Sequence, residues 1–228
     1  MRHYIPAVCI MVLTSLTLSA SPDADLPEPN PLTIYLIRHG ETDWNLHGKL
    51  QGDTDNPLNS TGKRQALENA ARLRGVDVDH IYSSGLKRAI QTAEVFAVRA
   101  PVTSLEQLNE RSRGVYEGRI ADEVEKEFRP RFLDPEDDLN GGESLASTAR
   151  RVSHATRDIV QSHPGGTVMI VGHSGINPLI IAELTGMDPG RALAEIRQGN
   201  DEVFKITVYS DGHAMVWKMV DIPFSPDE

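Results

Sequence analysis

The sequence contains a single cysteine, Cys9, and it lies in the apolar amino-terminal segment. A chain without that segment can form no disulfide, use no thiolate nucleophile and build no cysteine-ligated zinc site. Positive charge is also scarce: 23 Lys and Arg stand against 33 Asp and Glu, a formal net charge of −10. That balance argues against the basic surface a nucleic-acid-binding protein needs. It leaves room for a small anion in a cleft whose local charge opposes the global sign. Long apolar runs are missing too. The most apolar stretch, Ala7 to Ala20, falls short of the roughly 20 residues a membrane-spanning helix requires. There is no internal repeat and no low-complexity domain, and the length suits one large domain or two small ones.

The amino terminus reads as a targeting segment. Met1-Arg2-His3 supplies a short basic start, Ala7 to Ala20 an uncharged apolar core, and Ser19-Ala20-Ser21 the small residues of a cleavage site. The expected division is a signal peptide over 1–20, an extended linker rich in Pro, Asp and Glu over 21–31, and one folded domain over 32–228. The expected location is therefore the periplasm or the exterior, with no stable membrane span after cleavage. An uncleaved segment acting as an anchor is the alternative.

What is present is organised around Thr33-Ile34-Tyr35-Leu36-Ile37-Arg38-His39-Gly40-Glu41-Thr42. Its first half is a run of β-branched and apolar residues, which predicts a strand buried on both faces. The run stops at Arg38-His39-Gly40. Two cation-capable side chains thus sit at the carboxyl end of a central strand, where open α/β sheets bind ligands. Arg beside His at such a place points to an anion site, phosphate above all.

Helices are predicted from Ser60 or Thr61 to about Arg74, from Leu86 to about Val98, from Ser144 to about Gln161 and from Asn177 to near Gly186. Strands are predicted at Asp79–Ser83, Pro101–Leu105 and Thr167–Val171. Alternation over Glu202–Tyr209 and His213–Met219, around Ser210-Asp211-Gly212, predicts an antiparallel hairpin. The acidic stretch 122–140, with Pro130 and Pro135, reads as an excursion of helix and loop over the active face. The fold class is therefore α/β: a mostly parallel central sheet with helices on both faces and antiparallel strands near the carboxyl terminus.

Three predicted strands end in reactive or cationic groups, namely Arg38-His39, Glu110 and His173, and Arg88 opens the helix after a fourth. In a parallel sheet these ends share one side. The set suits phosphoryl transfer, in which positioning and neutralisation of the phosphoryl oxygens carry most of the catalysis. Arg38 and Arg88 offer forked donors. His39 is a nucleophile that neighbouring cations would keep neutral. His173 can bond a phosphoryl oxygen, and Glu110 can protonate the leaving alkoxide and later take a proton from water.

These stretches, together with Trp44-Asn45, Gln51-Gly52, Asp55 to Gly62, Tyr82 to Ala89, Leu108 to Arg111, Gly142-Glu143-Ser144 and Val171 to Gly175, resemble the histidine phosphatase superfamily, which includes the cofactor-dependent phosphoglycerate mutases and many phosphatases. The resemblance spans about residues 33 to 185. It implies a phosphoglycerate mutase-like fold and a phosphohistidine on His39. It further implies Arg38, Arg88 and His173 as the phosphate pocket, Glu110 as proton donor, and Asn45, Gln51, Gly52 and Ser174 lining the substrate site. A small phosphorylated substrate is implied, with no metal and no cofactor. Lys49 departs from the arginine common at that place in the family. Mutases of the family carry extra basic residues after the catalytic glutamate. Here Ala121 to Asn140 is mostly acidic, with Arg129 and Arg131 its only arginines, so the phosphatase branch is favoured over a phosphotransferase of the mutase type. The same acidic residues are expected to disfavour highly anionic substrates.

Two rival readings remain at this level. Val168 to Gly175 resembles the nucleophile elbow of an α/β-hydrolase, with Ser174 as nucleophile and Asp188 or Asp201 and then His213 following in order, but Ile176 occupies a position where that motif wants glycine. The other rival is a phosphate-binding module without turnover. His47, His80, His154, His163 and His213 belong to no constellation and read as surface or internally satisfied histidines.

Overall fold

The computed structural model describes residues 30–219. The expected signal peptide, and all but the last two residues of the expected linker, lie outside them. Strand β1 (Leu32–Arg38) forms where the apolar run predicted it, with Ile34, Leu36 and Ile37 fully buried. Complete burial of such side chains stabilises by about 1.5–3 kcal/mol each. A short helix α1 (Asp43–Leu46) follows, closed by a capping box between Thr42 and Asn45. Then come α2 (Ser60–Arg72), β2 (His80–Ser84), α3 (Lys87–Glu94) and β3 (Val102–Leu105). After two 3₁₀ turns the chain forms α4 (Ala121–Leu133), α5 (Leu145–Ser162), β4 (Gly166–Gly172), α6 (Asn177–Thr185), α7 (Pro189–Glu195), β5 (Val203–Val208) and β6 (Ala214–Met219).

The six strands make one sheet in the order β3-β2-β4-β1-β5-β6. The first four are parallel; β5 runs antiparallel to β1, and β6 antiparallel to β5. Because side chains alternate along a strand, Ile34 and Leu36 face one layer of helices with Val168 and Ile170, against Val152, Ile159, Leu179 and Ile180. Tyr35 and Ile37 face the other with Met169 and Val171, against Ala89, Ala93 and Phe96. The expected two-faced α/β sheet is what forms.

Two differences have physical causes, and the acidic excursion holds the helix expected of it. Helix α3 ends at Glu94 rather than near Val98, since beyond it the backbone closes i→i+3 bonds such as Phe96 N–H to the Ala93 carbonyl. Helix α7 was not foreseen; its signals were only the Asp188 cap and Pro189 at its first position. The acidic excursion carries a 13-residue helix, α4, with Pro130 inside it. Val124 and Phe128 of α4 close a small separate cluster with Tyr116 and Leu139. Buried Arg111 pins this lid to the domain: its guanidinium donates to the carbonyls of Glu143 (2.6 Å), Phe132 (2.6 Å) and Asp137 (3.1 Å).

Candidate active site

The register of the two central strands brings the two histidines together. Arg38 pairs with Gly172 in the β1–β4 ladder, and His39 N–H continues it to the Gly172 carbonyl at 3.0 Å. His39 and His173 are the next residues on each strand, and their rings lie 5.0 Å apart, tilted by 54°. Both are buried, His39 at 3% exposure and His173 at 0%. His39 Nδ1 lies 2.7 Å from the Gly40 carbonyl. A carbonyl can only accept, so Nδ1 carries the proton and the lone pair of the neutral ring is on Nε2. Burial, then the charges of Arg88 and Arg38, hold the His39 pKa well below the ordinary histidine value, against the opposing pull of the Gly40 carbonyl. Burial, then Arg88 and His39, do the same for His173. Both imidazoles are therefore neutral at pH 7, and neither nitrogen of His173 has a protein partner.

Two arginines flank them. Arg88, in the first turn of α3, is fully buried, and burial lowers its pKa to about 10. Its terminal nitrogens donate to the Gly52 carbonyl (2.7 Å) and the Thr54 carbonyl (2.8 Å), while Nε is unpartnered. Arg38 donates to the Gln198 carbonyl at 2.8 Å and likewise has an unpartnered Nε. The unpartnered, buried donors of Arg38 and Arg88, beside neutral His173, leave an anion-shaped demand for acceptors. Glu110 stands on the other side. Its Oε2 accepts from Gly175 N–H (3.0 Å), and Ser174 Oγ approaches the same oxygen at 3.4 Å. Its Oε1 accepts from Arg111 N–H at 2.9 Å.

Most of the residues expected from sequence meet at one cavity of about 220 Å³, lined by Arg38, His39, Asn45, Gln51, Arg88, Glu110 and Ser174 among others. His173 is not among the lining residues, although its ring lies 5.0 Å from that of His39 and both its nitrogens are without a protein partner. Asn45 and Gln51 are braced through Thr42, whose hydroxyl lies 2.9 Å from Gln51 Oε1 and whose N–H donates to Asn45 Oδ1. Gly52 enters differently from the other expected residues: it contributes the carbonyl that holds Arg88.

Several participants carried no sequence motif. Glu117 accepts from Asp53 N–H (3.1 Å), Thr54 N–H (3.0 Å), the Thr54 hydroxyl, Ser112 Oγ (3.3 Å) and Arg113 N–H (2.9 Å). One half-buried carboxylate thus holds the loop that grips Arg88 to the segment that carries Glu110. Gln198 supplies the carbonyl for Arg38, and its side chain ties Asn177 and the Leu36 carbonyl together. Arg113, three residues after Glu110, reaches back to it with NH2 at 3.6 Å from Oε2. A sequence signal for Arg113 existed in the spacing Glu110-Arg111-Ser112-Arg113, where one arginine turns into the lid and the other to the site.

The hydrolase triad does not assemble. His213 sits in the β5–β6 turn, bonded to Asp211 and stacked on Tyr209, and Asp188 caps α7. His80 and His163 are not isolated: with Tyr82 they form an aromatic group in which the Tyr82 hydroxyl and His163 Nε2 are 2.9 Å apart. Among the described residues, no group of three or more His, Cys, Asp or Glu side chains is arranged to hold a metal ion, and no helix is long and apolar enough to cross a membrane.

A nucleophile-competent histidine and a second histidine between two arginines, with a carboxylate opposite, define the class of protein, and comparison with known proteins agrees. The chain belongs to the histidine phosphatase superfamily (branch 1), whose family model matches residues 34–220. Among its relatives is the phosphatase PhoE of Bacillus subtilis, 35% identical over 158 residues, which cover 68% of this chain and 79% of that one. GpmB of Salmonella choleraesuis, named as a phosphoglycerate mutase, is 32% identical over 182 residues, covering 77% and 84% of the two chains. A solved phosphoserine phosphatase of Entamoeba histolytica superposes with a TM-score of 0.73 at 31% identity, covering 83% of this chain and 98% of that one. The protein is an enzyme of the phosphatase class within this superfamily.

Proposed function

We propose that this chain is an exported, metal-independent phosphomonoesterase that works through a phosphohistidine on His39. The observation that carries the reading is the bond from His39 Nδ1 to the Gly40 carbonyl, which leaves the Nε2 lone pair of a neutral ring at a cavity walled by arginines. In the first step Nε2 attacks phosphorus and the ester bond breaks. The phosphoryl oxygens are neutralised by Arg38 and Arg88 and bonded by His173. The leaving alkoxide takes a proton from Glu110. In the second step Glu110 takes a proton from water, whose oxygen attacks the phosphohistidine and releases inorganic phosphate and free His39. Arginines supply the positive charge that a metal supplies in other phosphatases, which supports metal independence.

Hydrolysis is favoured over a mutase-type transfer because the two lid arginines are already engaged. Arg131 is bidentate to Asp137 at 2.7 and 2.8 Å, and Arg129 pairs with Glu125 at 3.6 Å. Both stand beside lid carboxylates, which supports hydrolysis over the binding of a bisphosphorylated cofactor. Export is supported by the amino-terminal pattern of a basic start, an apolar core and small residues.

The test is hydrolysis of p-nitrophenyl phosphate with a metal chelator present, beside His39→Ala and Ser174→Ala. Activity that survives the chelator and Ser174→Ala but vanishes in His39→Ala, with an acid-labile, base-stable phosphoenzyme in the wild type, is the expected outcome. Full activity in His39→Ala, or loss to the chelator, would overturn it. Cell fractionation with amino-terminal sequencing of the mature chain tests export.

A further inference from the structure

Building on the phosphatase reading, we infer that Arg111 is a positioning residue that couples the seating of the α4 lid to the placement of Glu110, so that the proton donor is in place only when the lid is closed over the leaving group. Glu110 is fixed from two sides. Gly175 N–H holds Oε2 at 3.0 Å, and Arg111 N–H holds Oε1 at 2.9 Å. The first donor stands just beyond the end of β4. The second belongs to a residue whose side chain is committed to the lid, so the peptide between Glu110 and Arg111 joins the two.

That side chain is buried and charged. Burial and the neighbouring Arg113 lower its pKa to about 10, so it keeps its proton at pH 7. Three carbonyls from three segments receive its donors: Phe132 near the end of α4 (2.6 Å), Asp137 in the strap that leaves α4 (3.1 Å) and Glu143 just before α5 (2.6 Å). The Phe132 ring lies 4.7 Å from the guanidinium as well. A buried cation does not release such acceptors without replacements, because the desolvation cost then stands uncompensated. Arg111 therefore follows the lid, and its peptide N–H follows Arg111.

The lid is built to shift as a unit. Its cluster of Tyr116, Val124, Phe128 and Leu139 is separate from the two layers packed on the sheet. The strap that returns the chain to α5 passes through Leu139 and Asn140 at φ 61° and 56°, and Leu139 is fully buried there. The left-handed region is strained for a bulky side chain, so the closed strap stores strain that the Arg111 bonds oppose. The inner face of α4 meets the leaving group. Phe128, Phe132 and Leu133 line a cavity of about 480 Å³ that adjoins the phosphate cavity and shares Arg38 and Ser174 with it. Phe132 is thus both a wall for the alcohol and the residue whose carbonyl and ring hold Arg111. Contact with the alcohol is passed through Arg111 to the carboxyl group that protonates it.

The experiment compares glycerol 2-phosphate, whose alkoxide needs a proton, with p-nitrophenyl phosphate, whose phenolate leaves without one. The readout is kcat/KM, which reports loss of transition-state stabilisation. Arg111→Lys keeps the charge but loses the fork. It should lower the alkyl value by about tenfold or more and the aryl value by less than about threefold. In a Glu110→Gln chain, which has no proton to deliver, the same substitution should change alkyl turnover by less than about twofold. Val124→Ala loosens the lid's own cluster without touching Arg111, and it keeps the test open if Arg111→Lys does not fold. It should give a smaller alkyl-selective loss that likewise disappears in the Glu110→Gln chain. Equal losses on the two esters, or a loss that persists undiminished in Glu110→Gln, overturn the assignment and leave Arg111 a structural clasp. Failure of the phosphatase reading is distinguishable: p-nitrophenyl phosphate hydrolysis would then be absent or independent of His39, whereas failure of the Arg111 assignment alone leaves it intact.

Discussion

His39 and His173 lie ring to ring at 5.0 Å because they are the first residues beyond two parallel strands held in register by the Arg38–Gly172 pair. Two imidazoles at that distance, both buried and both beside Arg88, cannot both carry charge, and each is driven well below the ordinary histidine pKa by burial first and by neighbouring cations second.

That depression sets the sign of an acid effect. The unfolded chain binds protons at these histidines near pH 6.5, while the folded chain does not, so their contribution is intact above about pH 6.5 and is lost as the pH falls below it. Each histidine should therefore make the fold less stable at pH 5 than at pH 7. Urea unfolding of the wild type and His173→Gln at pH 7 and pH 5 reads this directly. His173→Gln should lose less stability than the wild type over that interval, and equal losses would mean that His173 is not held neutral by the fold.

Glu110 should matter in proportion to the basicity of the leaving group. Nitrophenolate departs without a proton, and an alkoxide does not. Glu110→Gln is expected to lower kcat/KM for an alkyl phosphate by about 10²–10⁴-fold, and for p-nitrophenyl phosphate by no more than about tenfold. Equal losses on both would place Glu110 in positioning rather than proton transfer.

Glu117 touches neither histidine, yet its bonds fix Asp53 and Thr54, and the carbonyls of Gly52 and Thr54 fix Arg88. Removing a carboxylate that satisfies several buried donors costs about 1–3 kcal/mol of stability for each donor left unpaired. Glu117→Gln should therefore lower both the unfolding free energy and kcat/KM. Its effect on kcat/KM should also be coupled to that of Arg88→Lys by at least about 1 kcal/mol in a double-mutant cycle. Simple additivity would argue that Glu117 acts on stability alone.

Gly175 approaches Glu110 so closely that a Cβ there would overlap Oε1, while its N–H holds Oε2 at 3.0 Å. Gly175→Ala must displace the carboxylate. The expected result is a loss of about 10²-fold in kcat/KM on alkyl phosphates, with overpacking costing about 1–3 kcal/mol in stability. Unimpaired turnover would show that the position of Glu110 is not limiting.

A strand buried on both faces announces itself as an unbroken apolar run, so β1 and β4 were legible without any structure, and with them the reactive residues at their ends. Alternation made the carboxyl-terminal hairpin legible for the same reason. Arg38, His39, Arg88, Glu110 and His173 follow from those ends, because parallel strands deliver their carboxyl ends to one side. Helix α7 was not legible, since seven residues carry too little periodicity to stand out from a loop. Nor could the sequence assign Glu117 or Gln198. Each acts through contacts to segments distant in the chain, such as the 160 residues between Arg38 and the Gln198 carbonyl, and local pattern holds no record of such pairings. The charge of the lid makes the same point. Composition gave it as acidic, but only packing decided which carboxylates are paired and which cations line the cavity, because a field inside a cleft depends on positions rather than totals.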